Sequence, residues 1–160
     1  MTNNKIEFDY TTYTNIDELT AADKILLQTA QQATANAYAP YSKFYVAATA
    51  KLSNGILVSS TNQENSSYPI GICAERTLLS TIAAIHPNIA IDSIAISYYN
   101  HIANSSNVPI SPCGMCRQAM LEWEKRQNKT FSLLLGGHTG IIYKIDNVGT
   151  LLPLSFFEKF

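Results

Sequence analysis

Cys73-Ala74-Glu75-Arg76 and Pro112-Cys113-Gly114-Met115-Cys116 contain all three cysteines of this 160-residue chain. The first cysteines of the two segments are 40 positions apart, and each segment stands at the start of a predicted helix. Unsatisfied backbone amides and the helix dipole favour a thiolate over a thiol at such a position. Because zinc binds the thiolate, the pattern predicts one metal site assembled from two helix N-termini.

The number of cysteines indicates what kind of metal site this is. Cys113 and Cys116 are three residues apart, so both lie on the same side of one helical turn and can bind one ion. Cys73 completes three protein ligands. A structural zinc site normally has four ligands, whereas a catalytic site keeps one position open for water. The count therefore predicts one catalytic Zn²⁺ per chain.

Glu75 is the predicted proton carrier beside this metal. Residues two apart in a regular helix point in different directions, so Cys73 and Glu75 would not face one site there. They face one site if Cys73 is the N-cap, with non-helical dihedrals, and Glu75 lies in the first turn. We predict that placement. Arg76 is then placed to donate to the thiolates, which carry more negative charge than Zn²⁺ neutralises.

Hydrophobic periodicity and turn residues predict the rest of the fold. The expected elements, in chain order, are an edge strand at 6–10, a helix from 20 to about 38, hairpin strands at 44–52 and 56–61, a helix at 73–85, a strand at 91–98, a helix at 113–126, strands at 131–135 and 141–145, and a short terminal helix with Phe156 and Phe157. Helices alternating with strands after a hairpin predict an α/β fold. We expect a three-layer α/β/α arrangement around a mixed sheet of about five strands.

Composition limits the domain count and the partners. The length suits one domain, taken as residues 20–160 after an N-terminal extension at 1–19. A net charge of −1 without runs of like charge disfavours a partner bound through many phosphates, so we expect no nucleic acid. No apolar stretch has the length of a membrane span, and three cysteines fit reduced thiols better than a disulfide framework. We therefore expect a cytoplasmic protein with no membrane partner.

Five segments together resemble the cytidine deaminase family in its short, three-cysteine form. The two cysteine segments, the second continuing into Arg117-Gln118, match its zinc motifs. The other three follow in matching order: Tyr41-Ser42-Lys43-Phe44-Tyr45-Val46, Asn62-Gln63-Glu64-Asn65-Ser66-Ser67-Tyr68 and Leu151-Leu152-Pro153-Leu154-Ser155-Phe156. The resemblance covers about residues 20 to 157 and implies the cytidine deaminase fold. Ala47, Gln63 and Pro69 depart from the usual pattern, away from the zinc motifs.

The resemblance implies zinc-dependent hydrolytic deamination of cytidine and deoxycytidine to uridine and deoxyuridine, with release of ammonia, as in pyrimidine salvage. Glu75 would move the proton of the attacking water to N3 and help ammonia leave. The resemblance also implies roles for other residues: Asn62 and Glu64 bind the sugar hydroxyls, Phe44 and Phe156 flank the base, the Ala74 amide donates to its carbonyl, Arg76 and Gln118 surround the ligands, and Ser67 and Tyr68 contact a neighbouring subunit of a homotetramer.

Several other interpretations stay open. Cys113 and Cys116 alone suit a redox dithiol, although Cys73 would then be unexplained. Asn62 and Glu64 suit residues that only satisfy loop amides, Arg76 suits a surface ion pair, and Phe156 suits the core. His86, His101 and His138 fall in predicted loops, as surface or capping residues. A blasticidin-type deaminase, a zinc-bearing interaction module and an RNA-editing deaminase are the alternative functions.

Overall fold

The computed structural model describes residues 1–156, which form one six-stranded sheet with helices on both faces. The elements are β1 (Thr11–Tyr13), α1 (Ala21–Ala33), β2 (Phe44–Leu52), β3 (Leu57–Thr61), α2 (Ala74–Ile85), β4 (Ile91–Asn100), α3 (Gly114–Gln127), β5 (Ser132–Gly136) and β6 (Ile142–Ile145). Short 3₁₀ helices lie at Ile16–Glu18, Thr34–Asn36, Tyr68–Ile70 and Val148–Leu151. The predicted α/β class and three-layer arrangement are confirmed.

The sheet is mixed, as predicted. Its strand order is β1-β6-β5-β4-β2-β3, in which β4 and β5 are parallel and all other neighbours are antiparallel. The β2–β3 hairpin forms at the predicted place. Gly55, at φ +86°, supplies the left-handed residue of its turn and donates its N–H to the Leu52 carbonyl (2.8 Å).

The sixth strand corrects the expected strand count and the position of the edge strand. Residues 6–10 are not a strand, and Ile6, Phe8 and Tyr10 are exposed. The strand instead follows this segment directly, as β1 at Thr11–Tyr13, where Tyr13 pairs with Ile142 of β6. The Tyr10 ring meets Tyr143 of β6 edge-on, at a centroid distance of 5.0 Å. The backbone of β6 therefore decides where the edge strand lies, and the alternating pattern at 6–10 does not.

Helix α1 begins as predicted and ends earlier than predicted. Thr20 is the N-cap, and its hydroxyl accepts from the Asp23 N–H (3.2 Å). The helix stops at Ala33 because the Thr34 hydroxyl donates back to the Gln31 carbonyl (2.7 Å) and the chain tightens into a 3₁₀ turn. The expected extension to residue 38 was wrong, since Tyr38 instead bridges Gln63 beyond β3.

The two faces of the sheet carry separate clusters of buried side chains. On one face, helix α1 packs its buried side chains Leu26, Leu27 and Ala30 against Ala95 of β4 and Leu134 of β5. On the other face, α2 and α3 pack against the sheet and against each other, as the larger cluster shows. The cysteine-bearing ends of α2 and α3 are therefore on the same side of the sheet.

The chain's last described segment differs from the predicted terminal helix. A 3₁₀ helix at Val148–Leu151 comes before the expected position, and residues 152–156 are bends, turns and irregular structure. Leu154 takes a left-handed conformation, at φ +51°, which interrupts any helix there. Phe157, the other residue of that prediction, lies outside the described residues. In residues 1–156, no helix combines the length and apolarity needed to cross a membrane.

Candidate active site

The N-termini of α2 and α3 meet, and a cysteine caps each of them. Cys73 (φ −72°, ψ 151°) is the N-cap of α2, and Glu75 lies in the first turn, as predicted. Cys113 (φ −67°, ψ 168°) is the N-cap of α3, and Cys116 lies in its first turn. Neither N-cap side chain caps its helix by a hydrogen bond, so both thiols remain available to a ligand.

The three thiols are arranged as one donor set for a metal. Their sulfur atoms all lie within 4.8 Å of one another, with Cys73–Cys113 at 3.9 Å and Cys113–Cys116 at 3.4 Å. Two thiolates of a tetrahedral zinc site are about 3.8 Å apart, since each Zn–S bond is about 2.3 Å. A disulfide would need about 2.05 Å. The geometry fits a zinc ion with three thiolate ligands and one open position.

The electrostatic environment of the three sulfur atoms favours a thiolate anion, which a bound cation would stabilise. Hydrogen bonding from Cys116, and secondarily from Cys113, lowers the pKa of the Cys73 thiol to about 6, although burial opposes this change. The same hydrogen bond to Cys73, together with burial, raises the pKa of the Cys116 thiol. Without a metal the cluster therefore shares its negative charge unevenly. A dication is the group that would deprotonate all three thiols together.

Glu75 is a buried carboxylate beside the cluster. Its side chain is 6% exposed, and burial raises its pKa above the ordinary range for a glutamate. The Cys116 thiol and the backbone N–H of Glu75 itself hydrogen-bond to it and partly offset that effect. A carboxyl group with a raised pKa is suited to taking up and returning a proton.

Asn62 and Glu64 follow β3 and pass directly beside the residue before Cys73. Gln63 exchanges backbone hydrogen bonds with Ile72 (both 3.0 Å), and the Glu64 N–H donates to Tyr38 (2.8 Å). This ladder places residues 62–64 along one wall of the thiol cluster. The family resemblance implied that Asn62 and Glu64 belong to the site, and the structure places both residues on the cavity that Cys73 and Cys113 also line.

Both side chains already hold backbone groups. Asn62 Oδ1 accepts from the Val46 N–H (2.8 Å), and its Nδ2 donates to the Phe44 carbonyl (2.9 Å). Glu64 Oε2 accepts from the N–H groups of Tyr41 (2.9 Å) and Ser42 (3.3 Å). Burial alone would raise the pKa of Glu64, but the Ser42 hydroxyl and these amides hold it below the ordinary range. Glu64 is therefore a carboxylate at neutral pH.

The cavity at the cluster has a volume of about 300 Å³, at the lower end of small-molecule sites. The predicted residues that line it are Asn62, Glu64, Cys73, Ala74, Glu75 and Cys113. Sequence reasoning missed Val46, Gly71, Ile72, Ile110 and Ser111 as lining residues. Gly71, Ile72 and Ser111 stand within two residues of Cys73 or Cys113, a proximity that could have identified them.

The two aromatic residues predicted beside the base are not part of the cavity lining that one chain provides. Phe44 stacks on Tyr98, with ring centroids 5.0 Å apart and planes at 23°. Phe156 is 81% exposed. Neither is among the described residues that line the cavity. Gln118 was predicted to lie beside the ligands. In the structure its Nε2 donates to the Phe156 carbonyl (2.9 Å).

The remaining predicted residues lie around the cluster. Arg76 donates to Met115 Sδ (3.9 Å), and its positive charge contributes to the lowered pKa of Cys73. Ser67 and Tyr68 are exposed, Tyr68 by 81%. The three histidines are outside the cluster, as predicted: His101 contacts Tyr45 and Tyr99, and His138 Nε2 lies 3.2 Å from the Thr34 hydroxyl.

A larger cavity, of about 450 Å³, opens at the other end of α3. It is lined by Glu124, Lys125, Lys129 and other polar residues, and none of the three thiols reaches it. The buried Glu124 carboxylate accepts from the Phe131 N–H (3.0 Å), so it already binds the protein's own backbone. Chemistry rather than volume therefore identifies the smaller cavity as the candidate active site.

Comparisons with known proteins agree with this site. A family model described as the cytidine and deoxycytidylate deaminase zinc-binding region matches residues 20–131. A cytidine deaminase from Halalkalibacterium halodurans is 35% identical over 133 residues, which are 83% of this chain and 92% of that protein. One from Mycoplasma genitalium is 35% identical over 108 residues, 68% of this chain and 78% of that protein.

Solved structures show the same fold. The crystal structure of cytidine deaminase from Burkholderia pseudomallei has a TM-score of 0.71 and 33% identity, covering 86% of this chain and all of that one. The structure from Mycobacterium tuberculosis has a TM-score of 0.62 and 30% identity, covering 84% and 96%. With three thiols set for zinc beside a buried glutamate, the chain belongs to the cytidine and deoxycytidylate deaminase zinc-binding family.

Proposed function

We propose that this protein catalyses the hydrolytic deamination of cytidine and deoxycytidine to uridine and deoxyuridine, releasing ammonia, as a step of pyrimidine salvage. The observation that carries the proposal is the convergence of three thiols within 4.8 Å, beside the buried Glu75, at a cavity of about 300 Å³. Cys73, Cys113 and Cys116 are the proposed ligands of one Zn²⁺. The bound ion supplies Lewis-acid activation of a water molecule.

Glu75 carries the protons of the reaction. It accepts the proton of the attacking water and delivers it to N3 of the pyrimidine while the water oxygen bonds to C4. Glu75 then moves the proton of the new C4 hydroxyl to the amino group, so that the C4 carbonyl forms, the C4–N bond breaks and ammonia leaves. The raised pKa of Glu75 suits both directions, because its carboxylate is easily protonated and its acid form easily gives the proton back.

Asn62 and Glu64 bind the sugar in this proposal. A carboxamide offers two N–H donors and an oxygen with two lone pairs, and Asn62 uses one donor and one lone pair on β2. A carboxylate has about four acceptor positions, of which the Tyr41 and Ser42 amides use part. Both side chains are therefore oriented by the backbone and keep capacity for hydroxyl groups. The Ala74 amide, at the start of α2, is the proposed donor to the base carbonyl.

Exposed aromatic rings bear on the proposed assembly of the protein as a homotetramer. Tyr68 is 81% exposed and its ring centroid lies 6.5 Å from that of Tyr41, which is 49% exposed, so the two rings form one open aromatic patch of the kind that marks protein–protein contacts. A homotetramer, in which Ser67 and Tyr68 contact a neighbouring subunit, accounts for this exposure. We keep Phe44 and Phe156 as proposed contacts of the base, and Arg76 and Gln118 as residues that support the ligands.

We further propose the domain limits and the cellular compartment. Residues 20–160 form the deaminase domain and residues 1–19 an extension whose β1 adds the edge strand to the domain's sheet, and the family match that begins at residue 20 supports this division. Free thiols as close as 3.4 Å need a reducing environment to remain available as ligands, which supports a cytoplasmic location.

A substrate panel on zinc-loaded protein tests the function. Ammonia release is measured with cytidine, deoxycytidine, their 5′-monophosphates and free cytosine, and Glu75→Gln protein is the control for contaminating activity. We expect release from both nucleosides. The monophosphates should react poorly, because the Glu64 carboxylate repels phosphate and, within residues 1–156, no lysine or arginine lines the cavity. Absence of ammonia from both nucleosides would refute the proposed function.

A further inference from the structure

Arg117 on α3 has no role in the proposed chemistry, yet it holds the chain on both sides of Cys113. Its Nε donates to the Pro112 carbonyl (2.9 Å), and its backbone N–H donates to the Cys113 carbonyl (3.0 Å). The two carbonyls that flank this proposed ligand thus accept from one residue. The side chain is half-buried, so these bonds are shielded from competing water.

The same guanidinium also reaches the C-terminal strap, by which we mean residues 148–156. Arg117 Nη1 donates to the Leu151 carbonyl (3.1 Å). A second side chain of α3 also binds the backbone of the strap: Gln118 Nε2 donates to the Phe156 carbonyl (2.9 Å). Arg117 is the contact that joins this strap to the peptide carrying Cys113.

Helix α2 provides an internal comparison. Thr77 stands four residues after Cys73, as Arg117 stands four residues after Cys113. The Thr77 hydroxyl donates to the Cys73 carbonyl (3.1 Å), and its N–H donates to the same oxygen (3.0 Å). Each N-cap cysteine leaves its helix start uncapped, and the residue four positions later stabilises that start instead. Thr77 makes no hydrogen bond to residues 148–156 in the part of the chain that the structure describes, which makes it a matched reference.

We propose that Arg117 is a positioning residue that couples the metal site to the C-terminal strap. It fixes the Pro112–Cys113 peptide, and hence the direction of the Cys113 thiolate, and it fastens the strap through the same planar group. A guanidinium presents diverging N–H donors in a rigid fork, whereas a lysine ammonium on a flexible stem does not reproduce that geometry. The inference rests on the proposed assignment of Cys113 as a zinc ligand.

The test compares Arg117→Met, Arg117→Lys and Thr77→Val with an Arg126→Met control. Arg126 is exposed on the same helix, with its guanidinium 4.9 Å from the Trp123 ring centroid, away from the cysteines. Zinc release to a chromogenic chelator is followed for each zinc-loaded protein. Amide hydrogen exchange of residues 148–156 is measured with and without zinc.

We expect Arg117→Met to weaken zinc binding by about 10- to 100-fold, the usual effect of removing a group that orients a ligand. Zinc should slow exchange in the wild-type strap and lose that effect in Arg117→Met. Thr77→Val should speed zinc release without changing how zinc affects amide exchange in the strap. Arg117→Lys should lie between the wild type and Arg117→Met in both measurements, and Arg126→Met should match the wild type in both. If Arg117→Met does not fold, Arg117→Lys takes its place in the comparison of zinc release and strap exchange with the wild type.

Two results would overturn the coupling. One is zinc release from Arg117→Met at the wild-type rate. The other is faster release while zinc still protects the strap, because Arg117 would then serve only the metal side. Wild-type protein that holds no zinc would instead refute the proposed ligands, so the two failures are distinguishable.

Discussion

Replacing Glu64 with glutamine separates its two roles, which are holding the loop at residues 41 and 42 and the proposed binding of the substrate's sugar. Oε2 of Glu64 holds the amides of Tyr41 and Ser42, so removing the whole side chain with alanine would also release that loop. Glutamine keeps one carbonyl oxygen that can accept from the same amides, but it loses the negative charge and has an NH₂ donor in place of the second acceptor oxygen. We therefore expect Glu64→Gln to fold normally and to lose affinity for the sugar of the substrate.

The expected magnitude follows from the kind of hydrogen bond lost. A hydrogen bond to a charged group contributes about 1.5–3 kcal/mol, and one between neutral groups about 0.5–1.5 kcal/mol. The lowered pKa of Glu64 means that the wild type has the charged form at neutral pH. A difference of about 1–1.5 kcal/mol lowers kcat/KM for cytidine by about 5- to 13-fold. Free cytosine has no sugar, so its kcat/KM should stay the same.

The assay measures kcat/KM for cytidine and for free cytosine in the wild type, Glu64→Gln and Glu122→Gln. Glu122 is an exposed glutamate of α3 that does not line the cavity, so its substitution should change neither value. Thermal unfolding of each variant checks that the loop at residues 41 and 42 is intact. Equal losses on cytidine and cytosine would refute the reasoning, because the effect would then not depend on the sugar.

Three further predictions concern the metal, the proton carrier and a buried carboxylate. Cys113→Ala should lose its zinc, and metal analysis that finds the wild-type amount in this variant would contradict the ligand assignment. Glu75→Gln should keep zinc and fold while kcat falls by about 10²- to 10⁴-fold; near-normal turnover would assign proton transfer elsewhere. Burial raises the folded-state pKa of Glu124 above its ordinary value of 4.5, although the Phe131 amide opposes this. The unfolding free energy of the wild type relative to Glu124→Gln should therefore be highest below pH 4.5 and fall as the pH rises through the folded-state pKa; urea unfolding that gives a constant difference would contradict this.

The parts of the site that sequence reasoning predicted depend on interactions over a few residues. Whether Cys73 is an N-cap is decided by the residues within one helical turn, and so is the spacing of Cys113 and Cys116. The hairpin around Gly55 has the same local origin. Local dihedral preferences act identically wherever the segment lies in the fold, which is why these features can be predicted without knowing the partners.

Other features depend on partners distant in the chain. The path of the chain after α1 depends on Tyr38 meeting Gln63, the place of the edge strand depends on the backbone of β6, and Arg117 binds Leu151, which lies 34 residues further along the chain. The sequence by itself determined the helix starts, the hairpin and the metal-binding chemistry. Only the tertiary structure decided which backbone groups Asn62, Glu64 and Arg117 bind, because a hydrogen bond depends on where the folded chain brings its partner, and no local pattern contains that position.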